Sequence, residues 1–267
     1  LPDYLENRYS TRVARLQSYV WIIFGLVYIP IQLKTVASIL QIVLPGFNTY
    51  LCMFIGVTIA VAYTAFAGMK GASIVGRVVC IATYVLLGWF IFTNIGDFGG
   101  YSGLIAQLPK GYDQLSAMST QQIVAWMIGG ILTSIDLQSA LQPVLAAKSD
   151  QAATWGCVLG YVIAGPICIL TAIIGMMARA KTDGLGDGAT AFAWAIKDMS
   201  SPVMAGIIFA VMTMIIAATL ATMMMATGTI VTNVYKKQIN PKADEKKLLT
   251  MSRLGTVAVA YVSLLLG

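Results

Sequence analysis

Six apolar runs, each about 20 residues or longer, fill the chain from Tyr19 to Tyr235 and are separated by short polar connections. At 1.5 Å of rise per helical residue such a run crosses a hydrocarbon core of about 30 Å, and within it only a helix satisfies its own backbone. The sequence therefore predicts an all-α, polytopic transmembrane bundle. Its spans fall at about 19–44, 50–67, 75–95, 121–145, 155–178 and 203–234, another begins near 254, and all belong to one transmembrane domain over 1–267.

Charged residues make up only 10% of the chain and hydrophobic ones 58%, where a soluble domain carries roughly 25% charged residues. The net charge of +6 does not point to nucleic acid, because Lys and Arg lie between spans, where an anionic membrane surface accounts for them. Cys52, Cys80, Cys157 and Cys168 sit inside apolar runs without metal-ligand spacing. There is no histidine, which removes imidazole catalysis and most zinc chemistry, so neither an enzyme nor a resident cofactor is expected. The chain opens on Leu1, and its last apolar run, 255–267, has 13 residues, too short to cross a bilayer. The expectation is part of a longer protein, partnered by N-terminal and C-terminal helices of the same protein.

With residues 1–18 in the cytoplasm, alternation places 68–74, 146–154 and 235–253 inside and 45–49, 96–120 and 179–202 outside. The inner set then holds eleven cations (Arg8, Arg12, Arg15, Lys70, Lys148, Lys236, Lys237, Lys242, Lys246, Lys247, Arg253) against four outside (Lys110, Arg179, Lys181, Lys197). That asymmetry supports the orientation and a multi-pass protein of the cell membrane. Trp21, Trp126 and Trp155 fall near span ends, as interfacial anchors do. In 189–199, Ala189, Phe192, Ala193 and Ile196 share one helical face, which reads as a short outer amphipathic helix, either packing or a lid. The stretch 235–248, with Pro241 and five lysines, reads as a solvated cytoplasmic loop.

A charge in hydrocarbon costs at least about 2.5–3.5 kcal/mol, so ionisable residues within spans are the best pointers to function. Lys34 is near the middle of the first span, Asp136 near the middle of the fourth, and Arg77 near the start of the third; Asp136 is the only acid in any span. Lys34 and Asp136 form either a structural ion pair or part of a solute or proton site. Arg77 either snorkels to the headgroups or acts within the bundle. Asp136 lies in Met127-Ile128-Gly129-Gly130-Ile131-Leu132-Thr133-Ser134-Ile135-Asp136-Leu137-Gln138-Ser139, where adjacent glycines precede a polar cluster. An interrupted helix there would turn Ser134, Asp136 and Gln138 toward one cavity. On the sixth span, positions 215, 218, 219 and 222 share a face, and their oxygens suit either a hard monovalent cation or helix packing.

Four segments carry a family resemblance: Leu1-Pro2-Asp3-Tyr4-Leu5-Glu6-Asn7-Arg8-Tyr9, Tyr63-Thr64-Ala65-Phe66-Ala67-Gly68-Met69-Lys70, Gln142-Pro143-Val144-Leu145-Ala146-Ala147-Lys148-Ser149, and Ala210 to Tyr235 with Pro241-Lys242-Ala243. In this order and topology they resemble the sodium:solute symporter family. The resemblance implies a fold of two inverted five-helix repeats, incomplete here, with core helices three to eight and the start of nine present. It implies a transporter of a small polar solute coupled to Na+, with the ion between the first and eighth core helices and the Ile215 carbonyl and positions 218 and 219 on the eighth. Two departures accompany it. Ala218 replaces a hydroxyl residue, and Ile74-Val75-Gly76 with Arg77 stands where some members carry a Trp-Thr-Asp segment. Arg77, or protonation at Asp136, is therefore a candidate substitute for the ion's charge. The expected arrangement is Lys34, Ser134, Asp136 and Gln138 around a solute, which Lys34 biases toward a carboxylate, with Ile215, Ala218, Thr219 and Thr222 toward the ion. The rival expectation is a non-transporting sensor or scaffold of the same fold.

Overall fold

A computed structural model describes residues 1–267 except 113–117, 137, 183 and 185–189; the side chains of 43, 65–70, 72–73, 133–136, 138 and 143 also lie outside the description. Among the described residues, regular structure is entirely helical. The order is α1 (Pro2–Arg8), α2 (Thr11–Val43), α3 (Thr49–Asn94), α4 (Gly100–Gln107), α5 (Thr120–Asp136), α6 (Gln138–Leu145), α7 (Asp150–Lys181), α8 (Ala191–Met199), α9 (Pro202–Val234) and α10 (Glu245–Leu266). A 3-10 turn, Ile95–Phe98, precedes α4, and a π turn, Tyr235–Ile239, follows α9. Five helical segments are long and apolar enough to span a membrane: Thr11–Ile42, Ile74–Phe98, Asp150–Lys181, Pro202–Ile239 and Glu245–Leu266. The protein is thus an all-α polytopic membrane bundle.

Side-chain caps set several helix starts. Ser10 Oγ accepts from the Val13 amide at 3.4 Å, Ser149 Oγ from Ala152 at 3.2 Å and Asp244 Oδ1 from Lys247 at 2.9 Å. The cap at Asp244 changes one expectation. It starts α10 about nine residues before the apolar run, and the resulting 22-residue helix is long enough to cross. A second difference lies at 68–74, expected as a turn between two spans. There α3 continues as one helix of 46 residues, about 69 Å long. The segment holds no proline to break the backbone ladder, and its two glycines weaken the helix without ending it.

The chain divides into two compact units, one of residues 1–79 with 212–267 and one of residues 80–211. In the first, α10 and α1 pack on α2. The core draws on Trp21, Ile29, Leu33, Val36 and Ala37 of α2, Met53 and Val57 of α3, and Leu220, Met224 and Ile230 of α9. Two glycines let helices approach closely. A Cβ on Gly25 of α2 would lie 2.5 Å from Thr227 Oγ1 of α9, and one on Gly228 would lie 2.3 Å from Thr256 Oγ1 of α10 and 3.0 Å from its backbone N. Within α2, Pro30 has no amide to donate, so the Leu26 carbonyl loses its helical partner. Trp21 is not at the surface as an anchor: it is 4% exposed, packed on Phe24 with ring centroids 5.2 Å apart. Trp126 and Trp155, by contrast, are exposed.

In the second unit, α8 packs on α7. It buries Ala193, Ala195 and Ile196, while Lys181 and Asp198 pair at 3.3 Å. The Tyr84 hydroxyl, beyond the midpoint of α3, donates to the Ile163 carbonyl on α7. Much of α7 presents Trp155, Leu159, Val162 and Ile169 outward, a surface suited to hydrocarbon.

Candidate functional site

On α9, Ile215, Ala218, Thr219 and Thr222 are half-buried. The Thr219 hydroxyl donates to the Ile215 carbonyl at 3.0 Å, and the Thr222 hydroxyl donates to the Thr219 carbonyl at 2.8 Å. Each proton is committed to the helix itself, as threonines in apolar helices often arrange. The hydroxyl oxygens keep lone pairs for an outside ligand, and such neutral oxygens suit hard cations. Ala218 offers none. The neighbouring Met223 and Met224 are buried packing.

Lys34 is exposed on α2, whose Leu33, Val36 and Ala37 face inward. Among the described residues its ammonium has no ion pair. It does not stand alone, however. Ser38 Oγ donates to the Lys34 carbonyl at 3.0 Å, and Gln41 Nε2 donates to Thr49 Oγ1 at 3.1 Å and to the Phe47 carbonyl at 3.3 Å. Residues 34, 38 and 41 follow helical spacing and form a polar stripe on one face. Sequence reading missed Ser38 and Gln41, although that spacing was the available signal.

The Gly25–Thr227 contact relates the two helices. They run antiparallel, since near the chain's start Tyr19 OH donates to Gln238 Oε1 at 2.6 Å. Lys34 lies nine residues beyond Gly25 on α2, and Ala218 nine residues before Thr227 on α9. Both offsets are about 13.5 Å at 1.5 Å per residue. Lys34 and the oxygen-bearing face around Thr219 therefore lie at the same depth of this unit.

The remaining expected residues stand differently. The side chains of Ser134, Asp136 and Gln138 are outside the described set, and Lys34 and Asp136 belong to different units. The interruption expected around Asp136 likewise falls where residue 137 lies outside the description. Arg77 is exposed on α3 and engaged in an interaction of its own. Among the described residues no group of His, Cys, Asp or Glu is placed to hold a metal. A cavity of about 390 Å³ in the second unit, between Ala140, Val144, Gly156, Cys157, Gly160 and Tyr161, is walled by small apolar groups and does not match a strongly polar solute.

One cluster the sequence reading passed over joins the two chain segments of the first unit. Lys237, in the π turn, forms ion pairs with both Asp3 and Glu6 of α1, and Asn233 Nδ2 donates to the Asp3 carboxylate at 3.3 Å. The bond from Lys237 holds both carboxyls below their ordinary values, with Thr11 adding to it at Glu6 and partial burial opposing it at both. At Lys237 partial burial disfavours the charge, but the two carboxylates outweigh it and raise its value. Asp3 and Glu6, three apart, share a face of α1, so this lysine in an otherwise solvated segment has a specific partner.

Comparison with known proteins agrees with this architecture. The chain is 24% identical over 307 residues to the sodium/glucose cotransporter of Vibrio parahaemolyticus, covering all of this chain and 55% of that protein. It is also 24% identical to two proteins of Bacillus subtilis (strain 168). One is the uncharacterized symporter YodF, over 279 residues and 56% of its length; the other is the high-affinity proline transporter PutP, over 280 residues and 59%. The chain thus spans little more than half the length of these relatives. The model of the sodium:solute symporter family matches residues 1–267, and the chain belongs to that family.

Proposed function

We propose that this chain is part of a secondary-active transporter that couples entry of a cation, sodium, to symport of a small polar solute bearing a carboxylate. The observation that carries the reading is the common depth of Lys34 and the Thr219 face. A cation pocket and a fixed ammonium at one level let a sodium ion and an anionic group be taken up side by side. Each cancels charge that would be costly to move alone through hydrocarbon. In the polar stripe the Lys34 ammonium is the donor left for the solute, and the Ser38 and Gln41 side-chain oxygens are the acceptors, since the Ser38 hydroxyl and Gln41 amide already donate within the protein. Binding energy for ion and solute together shifts an inward–outward equilibrium, which gives alternating access. The relatives named for glucose and proline both carry small polar solutes by their names, which fits the class.

Ala218 favours a second reading, a sodium-independent or proton-coupled transporter in which Arg77 or protonated Asp136 replaces the ion's charge. A sensor or scaffold would bind solute without moving it. The test is uptake by the complete protein with sodium replaced by choline. Sodium coupling requires uptake to fall to background; undiminished uptake rejects it and supports charge substitution. Lys34→Ala should weaken apparent solute affinity roughly 10- to 100-fold, as loss of a charge-assisted contact does. Unchanged affinity together with a lower melting temperature would instead assign Lys34 a structural role.

A further inference from the structure

The first unit carries a groove of about 340 Å³ away from the Lys34 and Thr219 residues, where α10 meets α3 and α9. Its walls include Val61 and Thr64 of α3 and Leu249, Ser252, Arg253 and Val257 of α10. The Thr64 hydroxyl already donates to the Ala60 carbonyl at 2.6 Å, so its proton is spent. Arg253 and Ser252 differ. Among the described residues neither the guanidinium nor the Ser252 hydroxyl has a bond partner. Two adjacent side chains with uncommitted donors therefore line the groove.

Position along the helix identifies what they await. Arg253 is the last cation of α10 before its apolar stretch, 254–266, and from there its long stem reaches back toward the headgroups at the N-terminal end of the helix. Lys246 is two turns earlier on the same face and extends the positive field outward. Leu249 and Val257, 56% and 38% exposed, leave the groove with open apolar walls. A soluble anion would satisfy the donors and leave those walls wet. A zwitterionic lipid would bring its own cation toward Arg253 and Lys246.

We propose that this groove binds an anionic phospholipid of the leaflet at the N-terminal end of α10. The phosphodiester is held by Arg253 and Ser252, and an acyl chain lies along Val61 and Val257. The site needs only membrane insertion, not transport, so its test is separate from the solute and sodium experiments.

The experiment is native mass spectrometry of the full chain in detergent, titrated with phosphatidylglycerol, phosphatidylcholine or inorganic phosphate, with melting temperature measured alongside. Phosphatidylglycerol should bind at least about tenfold more tightly than phosphatidylcholine, and Arg253→Ala should remove about a tenfold share of that preference while Arg253→Lys keeps most of it. Val257→Trp, which fills the groove and leaves the charge, should weaken phosphatidylglycerol to a similar degree. Lys181→Ala, an exposed cation paired elsewhere, should change nothing. Phosphatidylglycerol binding unaltered in both Arg253→Ala and Val257→Trp would overturn the site. Stabilisation by inorganic phosphate equal to that by the lipid would overturn the lipid as its occupant.

Discussion

Position 218 is the point where one atom separates two coupling schemes. A serine there would add an oxygen beside Thr219, and a neutral ligand of this kind is worth about 1 kcal/mol, roughly fivefold in affinity. Ala218→Ser should therefore lower the half-saturating sodium concentration for uptake several-fold, and Thr219→Ala should raise it by at least as much. No effect from either would remove α9 from the cation site. Of the single residues, Lys34 stood out in the sequence because an ammonium in an apolar run calls for either a structural partner or a functional role, and the solute affinity of Lys34→Ala decides between them. Trp21 did not. Distance from a span's end fixes the depth of a side chain but not the side of the helix it occupies, and Trp21 points inward against Phe24. Lys237 was hidden for a similar reason: its partners lie more than 200 positions away in the chain, and a lysine among lysines carries no mark of pairing.

Helices were legible wherever apolar length alone decides, as in α2, α7 and α9. Their ends were less so, because a cap such as Asp244 or Ser149 starts a helix while its first turns are still polar. Contacts between helices rest on details that hydropathy does not carry. At Gly228 an added methyl would meet not only the Thr256 hydroxyl but its backbone nitrogen, which cannot rotate away. Gly228→Ala should separate α9 from α10 and destabilise the protein by about 1–3 kcal/mol or more, as overpacking does. The check is the fraction of detergent-solubilised protein still monodisperse after heating. Gly76→Ala, in open space on α3, serves as the tolerated control.

The first unit is assembled from two segments distant in sequence, and α1 with the π turn after α9 closes it. Asp3 and Glu6 have lowered values, so their contribution is complete above about pH 5, where the unfolded chain would ionise them too, and is lost as pH falls through the lowered values. Lys237 is raised, so its share persists through neutral pH and disappears only as pH climbs past about 10. Protection of α1 from hydrogen exchange should be level from about pH 5 to 9 and fall below about pH 4. Lys237→Met should lower the plateau and remove the acid dependence; protection that ignores both would exclude this ion pair as the closure. The equal depth of Lys34 and Thr219 was not readable beforehand, since it follows from where Gly25 meets Thr227 and hydropathy sets no register between helices. Pro30 stands between that contact and Lys34. The missing backbone rung at Leu26 weakens the ladder of α2 at this joint, while beyond it Leu33, Val36 and Ala37 hold the helix in the core. The ammonium of Lys34 thus keeps its level only through the seating of its inward neighbours, and trimming Leu33 or Val36 would shift it without touching the lysine.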